Sequence, residues 1–162
     1  MRALVTGGAG FIGSHLVDRL LQAQHHVRVF DNFSTGQRRF LAGAQTNDQF
    51  ELIEGDLIHE QQIEVAMRGV DFVWHLAANA DVRFGTDQPR RDLEQNTIAT
   101  SNVLEAMRKN EVRHIAFSST GSIYGEASVI PTSEDCPMPV QTSLYGASKL
   151  ACEGMISAYC EG

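Results

Sequence analysis

The sequence predicts an α/β fold, a doubly wound parallel sheet in strand order 3-2-1-4-5, built as one domain over residues 1–162. Two observations carry that expectation. Short apolar runs of strand length alternate with helical patterns along the chain, and a glycine-rich turn joins the first run to the first helix. The runs are "RALVT" at 2–6, "HVRVFD" at 26–31, "FELIEG" at 50–55, "DFVWHLA" at 71–77 and "HIAFSS" at 114–119. Each is short and carries β-branched or aromatic residues. Helical spacing of apolar residues occupies about 11–22, 60–68, 90–109 and 143–160. Strands and helices in alternation make right-handed crossovers, which cover both faces of a parallel sheet. Two segments break the pattern: 32–48, with turn residues and room for one short helix, and 121–142, with all but one of the four prolines. Long loops at strand ends of such sheets are commonly binding loops.

A content of 43% hydrophobic residues suffices for a core. The net charge of −7, from 20 acids against 13 bases without a basic run, argues against a nucleic-acid groove or an anionic membrane surface as partner. No apolar stretch approaches the roughly 20 residues that span a bilayer, and the first residues run straight into a strand pattern, so a cytoplasmic protein is expected. Cys136, Cys152 and Cys160 are odd in number and lack metal-ligand spacing, which predicts free thiols and no metal site.

In "TGGAGFIG", Gly7, Gly10 and Gly13 stand where strand one ends and helix one begins. Gly7 permits a tight turn, Gly10 lets the backbone approach a pyrophosphate, and Gly13 lets helix pack on strand. The helix N-terminus then offers N–H groups and partial positive charge to an anion. Asp31 closes strand two, 18 residues after Gly13, where its carboxylate can accept both adenosine ribose hydroxyls. A 2′-phosphate would meet a like charge there, so the expected cofactor is NAD rather than NADP. Asp56, after strand three, either receives the adenine amino group or caps a helix. His75 reads as packed or hydrogen-bonded rather than as a ligand. Arg83 reads equally as a phosphate contact or a solvated charge.

Tyr145 and Lys149, four apart on one helix face, bring a phenol and an ammonium group to one place, and a neighbouring cation favours the phenolate. Lysine is scarce here, with only Lys109 besides. Taken alone, the pair fits a proton-handling centre and a solvated face equally well.

The ordered set "TGGAGFIGSH", "DNFSTG", "GDL", "HLAA", Asn96, "FSSTGSIYG" and "YGASK" resembles the extended short-chain dehydrogenase/reductase family, and within it the NAD-dependent sugar-nucleotide epimerase/dehydratase group. The resemblance runs the length of the chain and implies a Rossmann-like cofactor domain. It implies that Phe11 and Ile12 lie against the pyrophosphate. Asp31, Asn32, Phe33, Ser34, Thr35 and Gly36 would wrap the adenosine ribose, and Asp56 with Leu57 would hold the adenine. Leu76, Ala77, Ala78, Ala80 and Ser118 would line the cofactor, and Asn96 would support the helix and loop nearby. Thr120 falls where a hydroxyl assists the reacting sugar oxygen. Tyr145 would be the base, and Lys149 would bind the nicotinamide ribose.

The resemblance is nearest to members that invert C4 of a UDP-hexose, interconverting UDP-glucose and UDP-galactose through a 4-keto intermediate. Related dehydratases carry an Asp-Glu pair after the threonine, and related decarboxylases a Glu two places after it. This chain has Gly121 and Ser122 there, which favours epimerisation. A catalytically silent NAD-binding domain or a subunit needing a partner is the alternative. Members of the group continue for about as long again with a substrate domain. The sequence is thus expected to hold the cofactor half and to be inactive alone. The helices at 90–109 and 143–160 resemble those through which members pair as homodimers, and Leu144, Ala147, Ala151 and Met155 form one apolar stripe on the second.

Overall fold

The computed structural model describes all residues except 82–84, 86, 138 and 139. Arg83 therefore lies outside the described residues. The order of elements is β1 (Arg2–Thr6), α1 (Phe11–Gln22), β2 (His26–Asp31), β3 (Phe50–Glu54), α2 (Glu60–Ala66), β4 (Phe72–His75), α3 (Pro89–Asp92), α4 (Ala99–Lys109), β5 (Ile115–Phe117) and α5 (Leu144–Glu161). The chain forms two compact units. One holds residues 1–78 and 102–118, and the other 79–101 and 119–162.

The first unit carries the sheet, in the expected order β3-β2-β1-β4-β5 with every pair parallel. Four of the five β1 residues are buried, as a strand covered on both faces requires. Ala3, Val5, Val27 and Val29 pack with Val17, Leu20 and Leu21 of α1, the helix's apolar stripe, in the main core cluster. β1 and β2 match their apolar runs, whereas β3, β4 and β5 end short of theirs at the carboxyl side. Beyond His75 the chain leaves the ladder, and the Ala77 N–H turns to the Thr6 hydroxyl at 3.3 Å. The segment 32–48 holds two short 3-10 turns, Arg38–Leu41 and Ala44–Thr46, rather than one helix.

The second unit is built on α5. Ser143 caps it, its Oγ accepting from the Gly146 N–H at 3.0 Å. The expected continuous helix over 90–109 is interrupted: α3 passes into a π turn at Leu93–Ile98 before α4 begins. Wide turns of this kind concentrate at functional sites. Helix α5 buries Gly146, Ser148, Lys149 and Cys152, whereas Leu144 is exposed. The face it turns inward is thus a largely polar one. No helix among the described residues is long and apolar enough to cross a membrane.

Candidate functional site

The residues singled out in the sequence fall into two sets, one in each unit. In the sheet unit the chain leaves β1 through Gly7, whose φ of +70° is the left-handed conformation glycine tolerates best. The backbone of the 76–77 segment passes directly over it, since a Cβ there would lie 2.7 Å from the Ala77 nitrogen. The Gly10 N–H returns to the Gly7 carbonyl at 3.1 Å, and Gly10 then opens α1. The first helical bond runs from the Ser14 N–H to the Gly10 carbonyl, so the N–H groups before Ser14 have no helical acceptor. No described side chain caps this end and no acid sits in its first turn. Phe11 and Ile12 are 73% and 67% exposed, unlike the packed residues behind them.

Asp31 is buried to 8% exposure, with its carboxylate drawn into the glycine loop. Oδ2 accepts from the Ala9 N–H at 2.9 Å and Oδ1 from the Phe33 N–H at 2.8 Å. Each oxygen keeps acceptor capacity for a further donor. Asn32 donates to Asp56 Oδ2 at 3.0 Å, its own Oδ1 accepts from the Ser34 N–H, and Asp56 Oδ1 accepts from the Ile58 N–H at 3.1 Å. The cap position of α2 is His59, so Asp56 does not cap that helix. Leu57 is buried, and its carbonyl accepts from Asn102. Gly36, Leu76, Ala77 and Ala78 are partly buried, Thr35 is exposed, and the Ser118 N–H returns to the His75 carbonyl. His75 is buried with Nδ1 2.7 Å from the Thr6 hydroxyl. Uncapped N–H groups at an open glycine turn, beside a buried carboxylate with spare acceptor capacity, form a donor and acceptor set that fits a dinucleotide's pyrophosphate and ribose.

In the α5 unit, Asn96 sits in the π turn and joins three elements. Its Oδ1 accepts from the Asn79 N–H at 2.8 Å, and its Nδ2 donates to Ser148 Oγ at 2.9 Å. The Ser148 hydroxyl in turn donates to the Tyr145 carbonyl at 2.8 Å, and the Cys152 thiol reaches the Asn96 carbonyl at 3.4 Å. Beneath them lies Asp92, 1% exposed, whose Oδ1 accepts from the Asn79 amide at 2.7 Å. Its Oδ2 has no hydrogen-bond partner among the described residues. A buried amide left without an acceptor costs about 1–3 kcal/mol, and Asp92 averts that cost for Asn79.

Lys149 is 2% exposed, and burial lowers its ammonium from the ordinary 10.5 to about 8, partly offset by Cys152. Burial also pushes the Cys152 thiol up. Tyr145 is partly buried one turn earlier. Thr120 opens a 3-10 turn, Gly121–Tyr124, with its Oγ1 accepting from the Ser122 N–H at 3.1 Å. That turn lies on the start of α5: a Cβ at Gly146 would fall 2.8 Å from the Ser122 carbonyl oxygen. The backbone of the Thr120 turn thus meets the start of the helix that carries Tyr145 and Lys149. Ala80 is exposed in the loop after Asn79.

Asp92, Asn79 and Ser148 escaped the sequence reading. The i, i+4 spacing of Asp92 and Asn96 was a usable signal for the first. The other two are joined by contacts 17 and 52 residues apart, which no local pattern announces.

The fold and its glycine turn define a dinucleotide-binding α/β protein. The model of the NAD dependent epimerase/dehydratase family matches residues 3–162, and the chain belongs to that family. It is 38% identical over 160 residues to the UDP-glucose 4-epimerase of Corynebacterium glutamicum, covering 98% of this chain and 46% of the relative. It is 37% identical to UDP-glucuronic acid decarboxylase 1 of Danio rerio, covering 98% of this chain and 37% of the relative. Among solved structures, the Thermus thermophilus UDP-glucose 4-epimerase in complex with NAD superposes with a TM-score of 0.88 at 38% identity, over 99% of this chain and 51% of that one. The chain spans about half the length, or less, of these relatives.

Proposed function

We propose that the chain carries the NAD-binding and proton-handling groups of a nucleotide-sugar 4-epimerase acting on a UDP-hexose, interconverting UDP-glucose and UDP-galactose. NAD, when bound, supplies a reversible hydride acceptor. In this reading Gly7, Gly10, Gly13, Phe11 and Ile12 cradle the pyrophosphate. Asp31 and the residues to Gly36 take the adenosine ribose, Asp56 and Leu57 the adenine, and Leu76, Ala77, Ala78 and Ala80 with Ser118 the cofactor's inner side. Tyr145 removes the sugar 4-hydroxyl proton and returns it once the 4-ketone has presented its other face. Thr120 hydrogen-bonds the same oxygen, and Lys149 holds the nicotinamide ribose and favours the Tyr145 phenolate. The observation that carries this reading is Lys149, a buried amine lowered to about 8, one helical turn from the only tyrosine of α5's first turn. Perturbed groups of this kind concentrate at functional sites. Gly121 and Ser122 offer no carboxylate beside Thr120, which speaks against the dehydratase and decarboxylase chemistries. The grip on the nucleotide diphosphate is assigned to the length of the relatives that these 162 residues do not match.

Calorimetric titration is expected to show NAD binding ahead of NADP by about ten- to hundredfold, the effect of a like-charge clash of roughly 1–3 kcal/mol at Asp31. Equal affinities would remove Asp31 from its role. Following UDP-glucose and UDP-galactose by proton NMR in an NAD-loaded form of relatives' length tests the reaction itself. NAD binding without interconversion in a form of relatives' length would leave a silent binding domain. Self-association as a homodimer through the outward stripe of α5 is part of the proposal, and sedimentation as a monomer at tens of micromolar protein would remove it.

A further inference from the structure

Three acids gather where β2 and β3 end: Asp31, its register partner Glu54, and Asp56 two residues on. The loop that follows Asp31 carries two cations, and both are engaged. Arg38 lies over the Phe33 ring, 4.3 Å from its centroid, and forms an ion pair with Glu54. Arg39 lies over the Phe40 ring. Phe33 itself is tied to Asp31, its N–H donating to Oδ1 at 2.8 Å with φ at +54°. The result is a relay of Asp31, Phe33, Arg38 and Glu54 that ends on a carboxylate.

A 2′-phosphate brings a charge of about −2 and is accommodated by an arginine near the adenosine ribose, whose planar fork matches phosphate as it matches carboxylate. Arg38 is the cation on this loop whose guanidinium lies over the ring of the residue bonded to Asp31, and Glu54 pairs with one of its nitrogens. We propose that Glu54 is a specificity-determining residue: by holding Arg38 it withholds the counter-ion that a 2′-phosphate needs, so that rejection of NADP is shared between Asp31 and Glu54. This rests on the reading that Asp31 faces the adenosine ribose. Discrimination of this kind withholds a favourable contact from the wrong ligand and leaves the right one untouched. Exposed ion pairs and cation–π contacts are individually weak, so the expected effect is a modest factor.

The test is calorimetric titration of NAD and NADP into four proteins: unaltered, Glu54→Gln, Arg38→Gln, and the double variant. Glu54→Gln is expected to narrow the preference for NAD by about three- to tenfold, with NAD affinity unchanged. Arg38→Gln alone should not narrow it, and the double variant should restore the unaltered ratio. A ratio insensitive to Glu54→Gln overturns the proposal. So does a gain that persists in the double variant, because removal of a negative charge and not release of Arg38 would then explain it. An unaltered protein that does not distinguish the two cofactors removes the reading of Asp31 and this proposal together, whereas intact discrimination that ignores Glu54 removes this proposal alone.

Discussion

In a form of the protein that spans the relatives' length, replacing Tyr145 with phenylalanine is expected to leave NAD affinity within a factor of a few and to lower turnover of UDP-hexose by about 10² to 10⁴. The ring stays, so the packing at the start of α5 stays with it. Ser148 bonds the Tyr145 backbone carbonyl, which the substitution does not touch. What disappears is the one phenolic oxygen one turn from the buried amine of Lys149. Initial rates of UDP-galactose formation, measured beside an NAD titration, separate the two effects. Near-normal turnover would return Tyr145 and Lys149 to an ordinary helix face.

Lys149→Met is expected to act in opposite directions on binding and on stability. NAD affinity and turnover should fall together, because the amine proposed to hold the nicotinamide ribose is gone. The apo protein, by contrast, should gain about 1–3 kcal/mol at pH 7, after losing the lysine's own contacts, because a buried ammonium is replaced by an apolar chain of similar length. The sign follows from burial lowering the folded-state value to about 8, against the ordinary 10.5. Below about pH 8 both states are protonated, and the folded state bears the full cost of the buried charge. Between about 8 and 10.5 only the unfolded state keeps the proton, so the unaltered protein gains stability with rising pH, by roughly 1.4 kcal/mol per unit at most. The variant lacks that rise, and the two stabilities should converge as the pH approaches 10.5. Urea unfolding at pH 7, 9 and 10.5 measures the gap, and a gap constant with pH would show that Lys149 is not the source.

The strand order and the glycine turn were legible because their signals are local. Alternating apolar runs impose the crossovers, and a turn that must enter φ of +70° beneath a passing backbone selects glycine at position 7. The place of Asp31 was legible because it closes the β2 run, which sets it at the sheet's carboxyl edge. Other features depend on contacts that sequence spacing does not encode. The apolar stripe of Leu144, Ala147, Ala151 and Met155 says nothing of the face α5 turns inward, where Gly146, Ser148, Lys149 and Cys152 are buried and Asn96 meets them with polar groups. Asn96 itself was legible only through family resemblance, and the π turn that carries it reads as plain helix in the sequence. The pairing of Arg38 with Glu54 spans 16 residues and two turns, beyond any local rule.

The seat of α5 has a consequence for tolerance. Apolar contacts are non-directional, so a helix held by them can slide a fraction of an ångström at little cost. Helix α5 is held at Asn96 by an amide to Ser148 and a thiol to the Asn96 carbonyl, with Asp92 fixing the other end of the clamp through Asn79. Hydrogen bonds weaken steeply once bent or stretched. The seat therefore behaves less like a greased socket than like a keyed joint: the helix engages in one register or leaves it, with little slack between, and the phenol and amine it carries inherit that narrow play.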